Sequence, residues 1–359
     1  MRIDKGAATM STKSHVYTSI FVDPSYPVFE QNRLFDLSDR RLNRDDQLLP
    51  YHRVRESMRL EGVVVSTSDY LFVNQSEVSE QRAYISLGNI TNYQTALKQQ
   101  GVHLSTFVIM EPPVVAPKLY SELSKLTKFF DRVYVHNVVG DGYSLDGVDT
   151  TRLKKLFLPI PYNRVLEPYW DSTNRLRRIV VINGNHKPQS KKSELYSKRI
   201  EAIVALQQLD VVDLFGRDWN KWWSRESLWI PYWGNRKKLL SVYKGSCDSK
   251  FEVLAQYDFC LCFENMTMSG YISEKLFDCL YAGTIPIYLG APDVADYIPT
   301  DVYIDCRNFQ TWDDLWDKLN KMSTSEVQMI REAGRRFLIS DAANIFFDSL
   351  SHLFREINA

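Results

Sequence analysis

Residues 263–290 read FENMTMSGYISEKLFDCLYAGTIPIYLG. Within them Glu264, Asn265, Tyr271, Glu274 and Lys275 crowd polar chemistry between two apolar, strand-like runs. A hydrophobic core needs none of these side chains. At 100° per residue, Ile272, Leu276, Cys279, Leu280 and Gly283 share one face of the helix expected here, and Tyr271, Glu274, Lys275 and Asp278 share the other. Glu274 and Lys275 fall in its first turn, where unpaired N–H groups and the helix dipole attract an anion. The lysine adds its own charge to that attraction, and a neighbouring carboxylate suits the two hydroxyls of a ribose. The combination points to a nucleoside diphosphate. The same spacing also fits an ordinary capped surface helix with a Glu/Lys pair. Neither GxGxxG nor the GxxxxGK phosphate-loop pattern occurs, which disfavours a dinucleotide or P-loop site.

The elements around this stretch alternate. In the first half, strands are expected over 16–22, 62–67, 105–110 and RVYVHN, separated by helical patterns in YHRVRESMRLE, TNYQTALKQQG and PKLYSELSKLTKFF. Residues 137–176 read as a loop and linker. A second series starts at RRIVVING (177–184) and continues through SELYSKRIEAIVALQQ, VVDLFG, SKFEVLAQ, YDFCLCFE, the helix ending at Gly283, TIPIYLG and VYIDC. Such alternation argues for parallel sheets with helices on both faces. The tail from 311 onward is helical, with AANIFFDSLSHLFREI as one amphipathic last helix. The expected division is 1–165, 175–335 and a 336–359 helix placed to pack back on the first domain. In an open parallel sheet, ligands bind beyond the carboxyl ends of the strands, where FENMTMSG lies.

Composition sets limits. A chain of 359 residues suits two domains of roughly 150–200 residues. Acidic and basic residues balance at 44 each, so no global field recruits nucleic acid or an anionic membrane, and any anion site is local. The five cysteines contain no CxxC; Cys260 and Cys262 point the same way along a strand and are expected as buried, reduced thiols. The first fifteen residues lack a signal-peptide h-region, and no apolar run of about 18 residues occurs, so a soluble cytoplasmic protein is expected. The sequons at Asn74, Asn89 and Asn265 then carry no glycan.

The stretch FENMTMSGYISEKLFDCLYAGTIPIYLGAP resembles the signature of the α-1,3/1,4-fucosyltransferases, the family-10 glycosyltransferases, as a bacterial-type member. It has the Phe-Glu-Asn, the short spacer, the Tyr-Ile-Ser-Glu-Lys, the helix and the Pro-Ile-Tyr-Leu-Gly strand. Upstream, INGNHKPQSKKSELYSKRIEAI and VVDLFGRDW extend the likeness over about 177–306. The resemblance implies an α/β GT-B fold, two Rossmann-like domains facing a cleft, and transfer of L-fucose from GDP-fucose with inversion. It also implies that Arg199 and Lys275 contact the diphosphate, that Glu274 holds the ribose, and that Tyr271 and Asn265 border the nucleotide sugar. Lys250, just before the motif strand, is a weaker donor-binding candidate. Met266 stands where the family usually has Ser or Thr, and Gly270 where it often has Asp; both changes bear on the sugar pocket rather than on the phosphate or ribose ligands.

Inverting transfer needs a base for the acceptor hydroxyl. Glu111 follows the apolar strand of STFVIMEPPVVAP at its carboxyl end, fixed by the prolines behind it, and apolar walls there would raise its pKa. The plainer alternative is that Glu111 caps the helix beginning near Pro117. There is no Asp-x-Asp, HxH or HExxH, so no metal or other cofactor is expected and the protein's own cations must meet the diphosphate. Trp219, Trp222, Trp223, Trp229 and Trp233 form either a sugar-stacking platform or an apolar insertion covering a sheet edge. The expected activity is fucosyl transfer to a glycan hydroxyl, of α-1,3 or related linkage, in bacterial surface polysaccharide or lipopolysaccharide synthesis. The expected partners are a GDP-sugar and a glycan acceptor, without nucleic acid or a membrane span, and with peripheral membrane association left open. A transferase using another GDP-sugar and an inactive glycan-binding relative are the alternatives.

Overall fold

A computed structural model of the chain describes residues 17–73, 81–221 and 229–357. The sequon at Asn74, the first fifteen residues, Trp222 and Trp223 lie outside them. Two six-stranded sheets form, each entirely parallel. The first contains β1 (Ser19–Asp23), β2 (Val64–Thr67), β3 (Arg82–Ser86), β4 (Val102–Val108), β5 (Arg132–Val135) and β6 (Leu153–Lys155), in the order β2-β1-β3-β4-β5-β6. The second contains β7 (Leu176–Ile182), β8 (Val212–Phe215), β9 (Tyr243–Gly245), β10 (Tyr257–Phe263), β11 (Ile285–Leu289) and β12 (Ile304–Asp305), in the order β12-β11-β10-β7-β8-β9.

The two-residue period of a strand divides each sheet between two cores. Along β10, Cys260 and Cys262 enter one apolar layer, while Phe259, Leu261 and Phe263 enter the opposite one. Along β1, Ile20 and Val22 pack on one side and Phe21 on the other. Both faces are therefore covered, as a parallel sheet requires. All five cysteines are free, and Cys247 alone is not fully buried.

Several elements differ from the sequence pattern. β3, β6, β9 and the Ile230–Ser241 helix are not among the expected elements. β6, Leu-Lys-Lys, has no apolar run to announce it and forms because β5 offers an open edge. The helix expected over 91–101 spans only Tyr93–Ala96. The last helix is two, Asp341–Phe347 and Ser349–Ile357, because the chain leaves helical geometry at Asp348. That break turns the chain from one domain to the other. Phe346 packs in the second domain's core, whereas Leu350, Leu353, Phe354 and Ile357 enter the first domain's core beside Val54 and Met58. Arg53 fastens the crossing by donating to the Phe347 carbonyl at 2.7 Å.

A second seam joins the domains through residues 44–46. Arg44 donates to the Cys247 and Asp248 carbonyls at 2.7 and 2.8 Å. Asp45 accepts from the Ser249 hydroxyl at 2.7 Å and the Lys250 amide at 3.2 Å. Phe354 tests the docking of the tail. It is 2% exposed, so Phe354→Ala should cost about 3–5 kcal/mol, the range for emptying an aromatic site in a packed core. Chemical denaturation should show a midpoint shift at unchanged slope; an unshifted midpoint would mean that the last helix is not part of the folded core.

Candidate active site

The carboxyl ends of the two sheets face each other, and the loop after β10 lies between them. Its most buried polar group is Glu264, with 0% of the side chain exposed. The carboxylate accepts from the Ser273 amide at 2.7 Å, the Ser273 hydroxyl at 2.6 Å and the Lys275 ammonium at 3.2 Å. Ser273 is the N-cap of the Glu274–Ala282 helix, and the Lys275 ammonium also donates to its hydroxyl at 2.9 Å. Gly290 makes room for this arrangement: a Cβ there would lie 2.4 Å from Glu264 Cγ. The glycine of Pro-Ile-Tyr-Leu-Gly is thus the space that the glutamate of Phe-Glu-Asn occupies.

The helix ends at Gly283 in the left-handed region, as its glycine predicts. Its expected polar face is only partly polar. Asp278 is buried and ion-paired with Lys250, and Tyr271 precedes the helix, 2% exposed. Glu274 keeps half its side chain open to the cleft, 3.9 Å from Lys275. Burial works against the charge of Lys275, but Glu274 and Glu264 outweigh it and hold the ammonium well above the ordinary lysine value. Burial likewise opposes ionisation of Glu274, and Lys275 and then Lys250 reverse it, leaving the carboxylate below its usual range. Lys250 therefore stands behind Asp278 and reaches the site through its field on Glu274.

Arg199 projects from the Tyr196–Gln208 helix and is 3% exposed. Its Nη2 donates to the carbonyls of Phe263 and Glu264 at 2.7 and 3.0 Å, and its buried Nε has no partner. One edge of the guanidinium thus fixes the end of β10, while its charge remains uncompensated by any ion pair among the described residues. Asn265 donates to the Tyr271 hydroxyl at 3.3 Å. Tyr271 packs with Tyr196, Met266, Met268 and Val114 in an apolar floor drawn from both domains.

The first domain grips the same loop. Lys155 donates to the carbonyls of His136 at 2.6 Å and Gly270 at 3.1 Å, and Asp141 accepts from the Ser269 amide at 2.7 Å. Burial lowers Lys155 to about 8 and holds His136, whose ring meets Tyr271 edge-on at 4.8 Å, neutral at about 3. Gly270 has φ +71, and a Cβ there would sit 1.7 Å from the Lys155 ammonium. An aspartate at this position would collide with that contact, which accounts for the departure from the family's pattern.

Glu111 follows β4, and its side chain is open to the cleft. The surrounding walls raise its pKa, the Glu274 carboxylate raises it further, and Lys275 opposes both. The first domain's carboxylate is thus in electrostatic reach of the second domain's Glu/Lys pair. The helix at Pro117 has no side-chain cap, so Glu111 does not serve as one. Glu264, Tyr196 and Lys155 are the site residues that the sequence did not single out. Glu264 stood in the quoted motif without a role; Lys155 had no signal at all. Trp219 is 2% exposed and packs with Trp229 and Trp233 against the second domain's core, and Trp229 also packs on the site's apolar floor.

Residues 177–331 match the family model described as glycosyltransferase family 10 (fucosyltransferase), C-terminal part. The chain is 38% identical over 76 residues to the alpha-(1,3)-fucosyltransferase FucT of Helicobacter pylori, covering 21% of this chain and 16% of that protein. It is 43% identical over 157 residues to the GDP-fucose protein O-fucosyltransferase 3 of Mus musculus, covering 44% of this chain and 28% of the relative. The matches thus span well under a third of either curated relative. Among solved structures, an alpha1,3-fucosyltransferase aligns over 99% of this chain and 92% of its own with a TM-score of 0.51 at 15% identity. Anabaena Alr3699/HepE, solved in complex with UDP and glucose, aligns over 94% of this chain and 99% of its own with a TM-score of 0.55 at 10% identity. These likenesses establish the fold: two parallel-sheet α/β domains of the GT-B kind with a helical end.

The Glu264 network carries a direct test. Glu264→Ala leaves Lys275 buried without its partner and should cost about 3–5 kcal/mol. Adding Lys275→Met removes the stranded charge and should return part of that loss. Denaturant unfolding of both variants and of Lys275→Met would check it; strictly additive losses would contradict the coupling.

Proposed function

Since the domain formed by residues 177–331 belongs to glycosyltransferase family 10, we propose that this chain is a glycosyltransferase that moves L-fucose from GDP-fucose to an acceptor hydroxyl with inversion at the anomeric carbon. The observation that carries the proposal is that Glu111, on the first domain, feels the charges of Glu274 and Lys275 on the second. In this reading Glu111 is a base of raised pKa on one wall of a cleft, and Glu274 and Lys275 belong to a nucleotide site on the other.

In this reading the acceptor oxygen attacks the anomeric carbon as the bond from that carbon to the diphosphate oxygen breaks. Glu111 takes the proton from the hydroxyl. The charge growing on departing GDP is met by Lys275, by the positive Arg199 behind the end of β10 and by the first turn of the Glu274–Ala282 helix. Glu274, kept ionised by Lys275 and Lys250, accepts from the ribose hydroxyls. Tyr271 and Asn265 border the sugar. In this reading the diphosphate's charge is met by these cations.

The acceptor in this proposal is a glycan hydroxyl, with α-1,3 or related linkage, on a bacterial surface polysaccharide or lipopolysaccharide precursor in the cytoplasm. No helix among the described residues is long and apolar enough to cross a membrane. A protein hydroxyl is the second reading, favoured by the 157-residue match to a protein O-fucosyltransferase.

Two measurements test the assignment. Glu111→Gln should retain GDP-fucose binding and lose transfer by about 100-fold or more, the share of rate that a general base supplies. The base must be ionised, so the acidic limb of kcat/KM should lie above the ordinary glutamate range and vanish in Glu111→Gln; full activity in that variant would remove Glu111 from the mechanism. Lys275→Ala should abolish measurable GDP-fucose binding in calorimetry. Unchanged affinity would place the diphosphate elsewhere.

A further inference from the structure

A second charged pocket lies at the amino ends of β7 and β10, the end of the second sheet away from the cleft. It has a volume of about 450 Å³, and Arg175, Arg177 and Arg331 line it together with Asp171, Asp258 and Gln328. Arg175 and Arg177 flank the start of β7, Asp258 opens β10, and Arg331 comes from the Thr324–Leu338 helix.

Among the described residues, every hydrogen bond that these guanidinium groups donate ends on a neutral acceptor. Arg175 donates to the Tyr169, Trp170, Ser172, Tyr257 and Ala282 carbonyls and the Thr284 hydroxyl. Arg177 donates to the Leu319 and Met322 carbonyls, and Arg331 to the Trp170 carbonyl and the Gln328 side chain. The buried Nε atoms of Arg177 and Arg331 have no partner. Burial and then the Arg331 charge push Arg175 down to about 10. Asp258 feels all three arginines, whereas Asp171 and Glu332 act on Arg331.

Carbonyl oxygens satisfy N–H groups but do not neutralise charge. Three guanidiniums against two lining carboxylates, Asp171 and Asp258, leave a net positive charge in a concave, partly desolvated space, where a counter-ion is held more strongly than on open surface. Guanidinium forks match the oxygens of a phosphate, and three around one pocket suit a multiply charged anion better than a carboxylate. From this we infer that the pocket is an anion site, separate from the donor cleft, that takes a phosphate or diphosphate group.

The site is connected to the cleft by one element. Arg175 holds the Ala282 carbonyl at the end of the Glu274–Ala282 helix, whose first turn carries Glu274 and Lys275. A Cβ at Gly283 would lie 2.9 Å from Trp170 and 3.1 Å from Arg331, so this helix end is packed against the pocket wall. An anion bound in the pocket therefore reinforces the grip on the helix that carries the donor-site charges.

Gln328→Glu supplies the test at little change of size, although it gives up the bond that the Gln328 amide donates to Glu332 at 3.0 Å, which is why Arg331→Gln is measured beside it. Gln328 already accepts from Arg331 at 3.2 Å, so a glutamate there would fill the pocket's charge deficit from within. Inorganic pyrophosphate would be titrated calorimetrically into the full chain, Gln328→Glu, Arg331→Gln and Lys275→Ala. The expected result is a binding component that survives Lys275→Ala and is weakened at least tenfold by both Gln328→Glu and Arg331→Gln. Pyrophosphate binding that Gln328→Glu leaves unchanged, or no component surviving Lys275→Ala, would overturn the site. Co-sedimentation with phosphatidylcholine vesicles containing phosphatidate distinguishes the sources: vesicle binding lost in Gln328→Glu identifies a lipid headgroup, and pyrophosphate binding alone identifies a free phosphate. The pocket's test does not depend on the nucleotide the cleft takes, because Lys275→Ala removes the cleft's contribution.

Discussion

A fully buried carboxylate organises this molecule. Glu264 lies at the end of β10 with no exposed side-chain surface, and such a charge is tolerated only when its partners are fixed. Its partners are the N-cap serine and the first-turn lysine of one helix. The bond that makes the glutamate tolerable therefore also fixes where the helix begins and where the lysine's charge sits. Gly290 is glycine so that the carboxylate can enter, and the Arg199 guanidinium closes the end of β10 from behind. The lysine is consequently preorganised by a negative charge it never leaves, and Glu274 stays open to the cleft beside it.

The first domain does more than supply an opposite wall. Lys155, Asp141 and Asn137 hold the 264–273 loop directly, and the last helix returns to pack beside Val54 and Met58. Gly270 is the closest point of that contact. Positioning of the donor-side charges thus depends on both domains being assembled, and Glu111 is brought opposite Glu274 by the same assembly. In the proposed transfer this coupling matters, because a base at Glu111 and a nucleotide site at Glu274 and Lys275 would be aligned only when the cleft is formed.

Much of this was legible in the sequence because it rests on local periodicity. The strands β7, β8, β10, β11 and β12, the C-cap at Gly283 and the first-turn placement of Glu274 and Lys275 follow from spacing alone. What could not be read depends on contacts distant in sequence. β6 is three residues defined by its neighbour β5, and Lys155 within it meets a loop more than a hundred positions away. The break at Asp348 exists because the two halves of one amphipathic pattern serve different cores. Asp278 was placed on a solvent face by helical phase, yet Lys250 makes its burial tolerable. Glu264 looked like one polar residue among five until its depth was known.

The claim on which the account turns is that the Glu274/Lys275 site takes a guanosine diphosphate. Calorimetric titration of the full chain with GDP, UDP and ADP under one condition measures that directly. The account predicts GDP binding at least tenfold tighter than either of the others. Preference for UDP or ADP, or the absence of binding by all three, would contradict it.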